Sequence, residues 1–329
     1  MKTEDKLAWR KAVAPYETPV RWRSVWQTVN TLVPYTVLWY LMYRSLEVSY
    51  LLTLSLAILT AGFMIRSFII LHDCGHGSFF KSQMANNFLG TIVGVLTFTP
   101  YHYWRFEHAV HHATSGDLDR RLRGDIWTWT VDEYLAAPLW KRVTYRLYRS
   151  PLILFVVGPA FLFLFEYRFP LRHPEKRERR SVHITNLGLL VVAVVISSVI
   201  GFKAYLLVQL PITILGSAAG VWMFYIQHQF EGVYWERHKD WDYLDAALDG
   251  SSYYKLPRVL RWFTGNIGFH HIHHLGPRIP NYFLKKCYDK NPMFQNVKSL
   301  TLITSLGSLS LRLWDEKRRE LIGWGRLKA

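Results

Sequence analysis

Hydrophobic residues in this chain gather into long runs at roughly residues 28–43, 48–71, 150–167, 186–202 and 204–227. Several approach the ~20 residues that cross the hydrocarbon core of a bilayer, which predicts an all-α, polytopic membrane protein. The runs 28–43 and 48–71 form one transmembrane hairpin, and 186–202 and 204–227 a second that turns near Gly201-Phe202-Lys203. The stretch Asn86–Tyr103 is apolar but interrupted by Gly90, Gly94 and Pro100, and reads as re-entrant or interfacial. A crossing there would put the polar clusters on either side of it on opposite faces of the membrane. The run 150–167, with Gly158-Pro159 at its middle, is read as non-crossing too, and the RFPLRHPEKRERR that follows as a basic loop.

Charge refines this picture. The net charge of +16 sits in loops that flank the apolar runs rather than along one helix, so anionic headgroups explain it and nucleic acid does not. Met1 to Arg23 is polar, with charges of both signs and no apolar core, so no cleavable signal is expected. An amino terminus inside, combined with the positive-inside rule, places both termini and the polar cap on the cytoplasmic side. Cys74 and Cys287 are too few and too far apart for an iron-sulfur module, a zinc ribbon or a disulfide framework. No repeat, phosphate-cradling glycine loop or Ser-His-Asp arrangement competes for the chemistry.

Candidate chemistry lies in three histidine boxes: His72 and His76 in LHDCGHGSFF, His108, His111 and His112 in FEHAVHHATSGD, and His270, His273 and His274 in NIGFHHIHHLGPRIPNY. Residues three and four apart share a helix face, so each box can aim its imidazoles at one point. His271 lies about 100° around the helix from His270 and should face away. His102, His173, His183 and His238 stand outside the boxes and read as structural.

HDCGHGSFF, the segment from Trp104 through EHAVHH, GDIWTWTVDEY and NIGFHHIHHLGPRIPNY stand in the order and at the separations of a known family. The chain resembles the integral-membrane fatty acid desaturases of the bacterial and plant acyl-lipid type, nearest to the omega-6/delta-12-like enzymes that act near mid-chain. The resemblance implies a non-haem diiron centre held by the eight box histidines, with His228 in FYIQHQFEG as the ninth ligand. Neutral imidazole suits iron, copper, nickel or zinc, and nine ligands are too many for one ion, so two metals follow. The implied reaction takes O2 and two external electrons and leaves a cis double bond in a long acyl chain, the substrate being a membrane lipid. No haem, flavin or iron-sulfur module is readable in the chain, so a ferredoxin or cytochrome b5 is the implied donor.

In animal acyl-CoA desaturases an asparagine four residues before the isolated histidine also serves the site. Phe224 stands there in this chain, and a water on Gln227 or Gln229 could substitute. Asp73, Glu107, Asp125, Glu231 and Asp242 are candidates to orient the rings, with a helix N-cap as the competing role for Asp125. Trp127 and Trp129 stand either in an acyl tunnel or at the membrane interface. The resemblance makes residues 1–329 one domain: a first hairpin at 28–71, boxes one and two at 72–150, a membrane-associated segment and basic loop at 150–185, a second hairpin at 186–227, and a cytoplasmic cap with box three at 228–329. The competing readings are a sibling lipid hydroxylase, epoxidase or acetylenase, or a carotenoid ketolase. More distant are a histidine-rich metal transporter or a zinc hydrolase, the former placing its ligands nearer the bilayer midplane.

Overall fold

The structure is a computed structural model that describes residues 3–121, 124–170 and 175–327; His173 lies outside them. A short amino-terminal helix, α1 (Thr3–Val13), precedes two long ones, α2 (Arg21–Ser45) and α3 (Tyr50–His76). α3 is the central post of the molecule, with α2, α4 (Gln83–Leu96) and α10 (Phe202–His228) packed along it. It ends where Gly77 turns into the left-handed region at φ +68° and its N–H caps the carbonyls of Asp73 and Cys74. That stop leaves His72 and His76 on the last two turns.

α4 (Gln83–Leu96) and α5 (Tyr101–Thr114) follow, each 14 residues long. At 1.5 Å per residue that is about 21 Å, too short to span, as the broken apolar pattern predicts. α6 (Val131–Ala136) starts at a capping box made by Thr130 and Glu133, and α7 (Leu139–Tyr148) follows Pro138. A stretch of π-helix, Ile153–Val157, leads into α8 (Gly158–Leu164). The segment from Ile153 to Arg168 is bent by 63° from α7, so the run 150–167 belongs to a broken span or a re-entrant element.

α9 (Lys176–Ile200) and α10 (Phe202–His228) meet at Gly201, where the sequence places the turn. The basic run is not all loop: Lys176 to Arg180 form the first turns of α9. Lys, Arg and Glu are good helix formers, and no proline or glycine interrupts them. Among the described residues three helices, α3, α9 and α10, are long and apolar enough to cross a membrane, and the bent pair would make a fourth. α2 has the length, at 25 residues, and is not among them. It turns Ser24, Gln27 and Thr31 inward and exposes Trp22, Trp26, Val29, Val33, Val37 and Leu41 at spacings of three and four. On α9, Leu187, Leu190, Val191, Val194, Val195 and Val199 are all more than half exposed. A surface this apolar is matched to lipid rather than water.

Beyond His228 the chain is built mainly of short helices, in keeping with the all-α class, with a few strands of two or three residues. α11 (Tyr243–Leu248), α12 (Arg258–Phe263), α13 (His270–Leu275) and α14 (Asn281–Lys290) alternate with two small ribbons. β1 (Tyr253–Tyr254) pairs in parallel with β2 (Ser299–Leu300), and β3 (Leu313–Asp315) antiparallel with β4 (Glu320–Ile322). The largest apolar core joins this region to the end of α10 through Tyr225, Ile226, Phe230, Phe269, Ile272 and Leu284. That core presses box three against the ends of α3 and α10.

Candidate metal centre

Each box reaches the site by local helical geometry. His72 and His76 lie near the end of α3, His108, His111 and His112 on α5, His228 at the end of α10, and His270, His273 and His274 on α13. One donor nitrogen from each of His72, His76, His108 and His273 falls within 4.8 Å of the others, and the same holds for His111, His228, His270 and His274. His112 joins the first group, its Nε2 lying 3.2 Å from His108 Nε2 and 2.9 Å from His273 Nε2. It also stacks on His274 with centroids 4.2 Å apart, which links the two groups. All nine predicted histidines therefore converge. Pairs four apart (72/76, 108/112, 270/274) stay together, while the member three residues on (111, 273) crosses to the other group. At 100° per residue, positions i+3 and i+4 lie on opposite sides of position i.

Several rings are held from behind. Asp73 Oδ1 accepts from His72 Nδ1 at 3.1 Å, while its Oδ2 accepts from the backbone and side-chain N–H groups of Asn281 at 2.7 and 2.8 Å. Gln27 pairs with the Asn281 amide at 3.2 Å and extends this brace to α2. Asp125 Oδ1 accepts from His111 Nδ1 at 2.5 Å. Gly124 lets it come so close: its φ is +72°, and a Cβ there would lie 2.9 Å from Glu107 O and 3.1 Å from His111 Cβ. His228 Nδ1 donates to Gly250 O at 3.3 Å.

These partners decide the tautomers. A carboxylate or a carbonyl can only accept, so His111 and His228 each carry their proton on Nδ1. Their Nε2 lone pairs then face each other at 3.1 Å with no proton between them. That contact is repulsive unless a cation shares both lone pairs, and two nitrogens each about 2 Å from one ion and roughly at right angles would stand about 3 Å apart. His76 Nε2 is likewise buried without a hydrogen-bond partner. Burial first, then the neighbouring imidazoles, holds His108, His112, His270, His273 and His274 well below the ordinary histidine range. They are neutral at pH 7, the form that ligates a metal. The donor set fits a pair of metal ions.

A sequence profile described as fatty acid desaturase matches residues 48–296. The chain belongs to the fatty acid desaturase family. It is 46% identical over 318 residues to a fatty acid desaturase of Bacillus subtilis (strain 168), covering 97% of this chain and 90% of that one. It is 26% identical over 274 residues to the sn-1 oleoyl-lipid 12-desaturase of Synechocystis sp. (strain ATCC 27184 / PCC 6803 / Kazusa), covering 80% and 73%. To an sn-1 acyl-lipid omega-3 desaturase (ferredoxin) of the same organism it is 28% identical over 238 residues, covering 67% and 61%. This desaturase is therefore an oxidoreductase and a membrane protein.

Around the centre of the desaturase the other sequence candidates fall into place. His271 faces away, its Nε2 donating to Phe294 O at 3.0 Å, and burial pushes its ring down to about 3. His183 is exposed, and His102 packs on Tyr101 outside both groups. His238 is exposed and sits 2.8 Å from Asp117 Oδ2. His238→Ala is expected to leave product formation and metal content within about twofold of wild type, since the ring is exposed and lies outside both groups. A product assay beside metal analysis checks it.

Asp125 orients His111 rather than capping a helix, whereas Asp242 caps α11 and Glu231 is exposed. Trp127 and Trp129 are partly buried. They pack with Tyr134, Tyr145 and Trp324 in a satellite aromatic core. Phe224 lays its ring against His111 and His228, with centroids 5.0 and 5.3 Å away. Of the neighbouring amides, Gln227 donates to Ile267 O, and Gln229 accepts from Arg149 and donates to Thr128. Sequence reasoning missed Asn281, Gln27, Gly250 and Arg149. Of these, Asn281 alone stood inside a quoted motif.

Proposed function

We propose that this desaturase inserts a cis double bond into a long acyl chain esterified in a membrane lipid, with two iron ions held by His72, His76, His108, His111, His112, His228, His270, His273 and His274. The observation that carries this reading is the convergence of two groups of imidazole nitrogens at the ends of α3 and α10. Bound iron would supply the oxidising power, drawn from O2, to break unactivated C–H bonds, which zinc does not offer. Overall, two hydrogens leave adjacent acyl carbons and O2 becomes two waters with two electrons and two protons from outside.

The protein's part is positional. Asp73, Asp125 and Gly250 fix the ring tautomers so that Nε2 lone pairs point inward. Trp104, stacked on His108 at 4.4 Å, and Phe224 cover two sides of the centre with apolar ring surface and keep water from it. The His-bearing ends of α3 and α10 meet, so those two helices run in the same direction and the boxes share one face of the membrane. With α2–α3 and α9–α10 as crossing hairpins and Lys and Arg retained inside, that face is cytoplasmic, with both termini on it. The exposed apolar stripe on α2 supports its place in the bilayer. Residues 72–150 and 228–329 then form the cytoplasmic part of a single domain, and 150–185 stays associated with the membrane. An acidic one-electron carrier of the ferredoxin or cytochrome b5 kind suits the +16 charge.

The test is expression in a host lacking polyunsaturated lipids, with gas chromatography and mass spectrometry of derivatised fatty acids. A new cis bond near mid-chain is the expected product. Hydroxylated or epoxidised chains would move the chain to the sibling oxidations. No product even with added reductase and ferredoxin would reject the reading for the lipids supplied.

A further inference from the structure

We infer that Arg149 is the positioning residue that sets the second metal group, by clamping the segment behind His111 to the segment behind His228. This rests on the nine-histidine reading above. Arg149 follows α7 and is fully buried. Its guanidinium donates to Trp127 O at 3.3 Å, Thr128 Oγ1 at 3.0 Å, Tyr225 OH at 3.3 Å, Gln229 Oε1 at 3.1 Å and Leu311 O at 2.9 Å. All five acceptors are neutral. A buried cation held by neutral oxygens depends on having all of them in place, so the charge enforces the positions of the segments that supply them.

Those segments are the ones that matter. Thr128 lies three residues after Asp125, whose carboxylate holds His111, and Gln229 directly follows His228. Thr128 and Gln229 also bond to each other at 3.2 Å, closing a triangle on the guanidinium. Two tyrosines of α7 add to the clamp: Tyr148 OH accepts from Trp127 N at 3.2 Å and Tyr145 OH from Trp129 N at 3.1 Å. The triangle thereby fixes how far Asp125 and His111 stand from His228, across the 3.1 Å gap between their Nε2 atoms. Trp127 and Thr128 lie behind His111, Tyr225 and Gln229 stand beside His228 in sequence, and among the described residues no partner of the guanidinium belongs to the group of His72, His76, His108 and His273. The planar fork is needed, because a lysine ammonium cannot span Thr128, Gln229 and Leu311 together.

Iron per chain and the 57Fe Mössbauer spectrum, measured on full-length protein purified in detergent, test this. Wild type should hold two irons. Arg149→Met should lower affinity at the second group by about 10- to 100-fold and hold one iron. Its spectrum should match that of His270→Ala, which removes a second-group histidine, and differ from that of His76→Ala, which removes a first-group one. Two irons in Arg149→Met would overturn the inference and leave the nine-histidine reading standing. Equal loss of both signals would overturn it as well, by showing a general structural role. Fewer than two irons in wild type would overturn the reading beneath it. If Arg149→Met does not fold, Gln229→Leu, which removes the Arg149–Gln229 and Gln229–Thr128 sides of the triangle and leaves Arg149–Thr128, decides by the same outcomes.

Discussion

Replacing His111 by alanine is expected to abolish the new double bond and to lower bound iron, while membrane insertion and elution as a folded particle are unchanged. His111 is fully buried, bound behind to Asp125, and its Nε2 stands 3.1 Å from that of His228. Alanine removes one of the four converging nitrogens of the second group, a metal ligand on the proposed reading, and also leaves the Asp125 carboxylate without its hydrogen bond to the ring. Loss of a partner behind a ligand already costs about 10- to 100-fold in affinity or activity, so loss of the ligand itself should cost ~100-fold or more. Product analysis and iron per chain on the same preparation check both effects. A variant that kept its iron and half its product would remove His111 from the ligand set.

Asp73→Asn should be nearly as damaging through a different route. Asp73 is buried on α3, and its two oxygens accept from His72 and twice from Asn281. An asparagine has one oxygen and one NH2. If the NH2 faces Asn281, two donors meet donors, costing about 1–3 kcal/mol for each group left unsatisfied. If it faces His72, the ring must accept at Nδ1 and carry its proton on Nε2, which removes the lone pair directed at His273, 3.0 Å away. Either way the first group suffers, and thermal unfolding in detergent beside iron analysis reads both costs. An unchanged unfolding temperature with full iron would show that the Asp73 carboxylate is not what holds His72.

The two cases differ in how far the chain itself announces them. His72 and His76, or His108 and His112, are four apart on one helix, so their shared face follows from the helical repeat. The glycine after His76 and the turn at Gly201 are equally local, since both permit a backbone conformation that side chains disfavour. Asp125 is 14 residues from His111 in sequence, and the choice between helix cap and ring partner depended on Gly124 bringing it against α5. Arg149 shows no local mark that separates it from Arg142 and Arg146 in the same stretch, although they lie on a surface helix and it is fully buried.

What the sequence determined by itself is therefore what short-range periodicity encodes, namely the long apolar helices, their turns and the three boxes, with His228 added by the family resemblance. What the tertiary structure alone decided is which histidines from different boxes converge in one group, which carboxylate holds which ring, and which segments the buried Arg149 joins. The Asp73–Asn281 bond closes 208 residues of chain and the His72–His273 contact 201. Such pairings are set by how α3, α5, α10 and α13 pack around a common core. Packing energy is shared among many distant side chains, and no repeat along the chain records it.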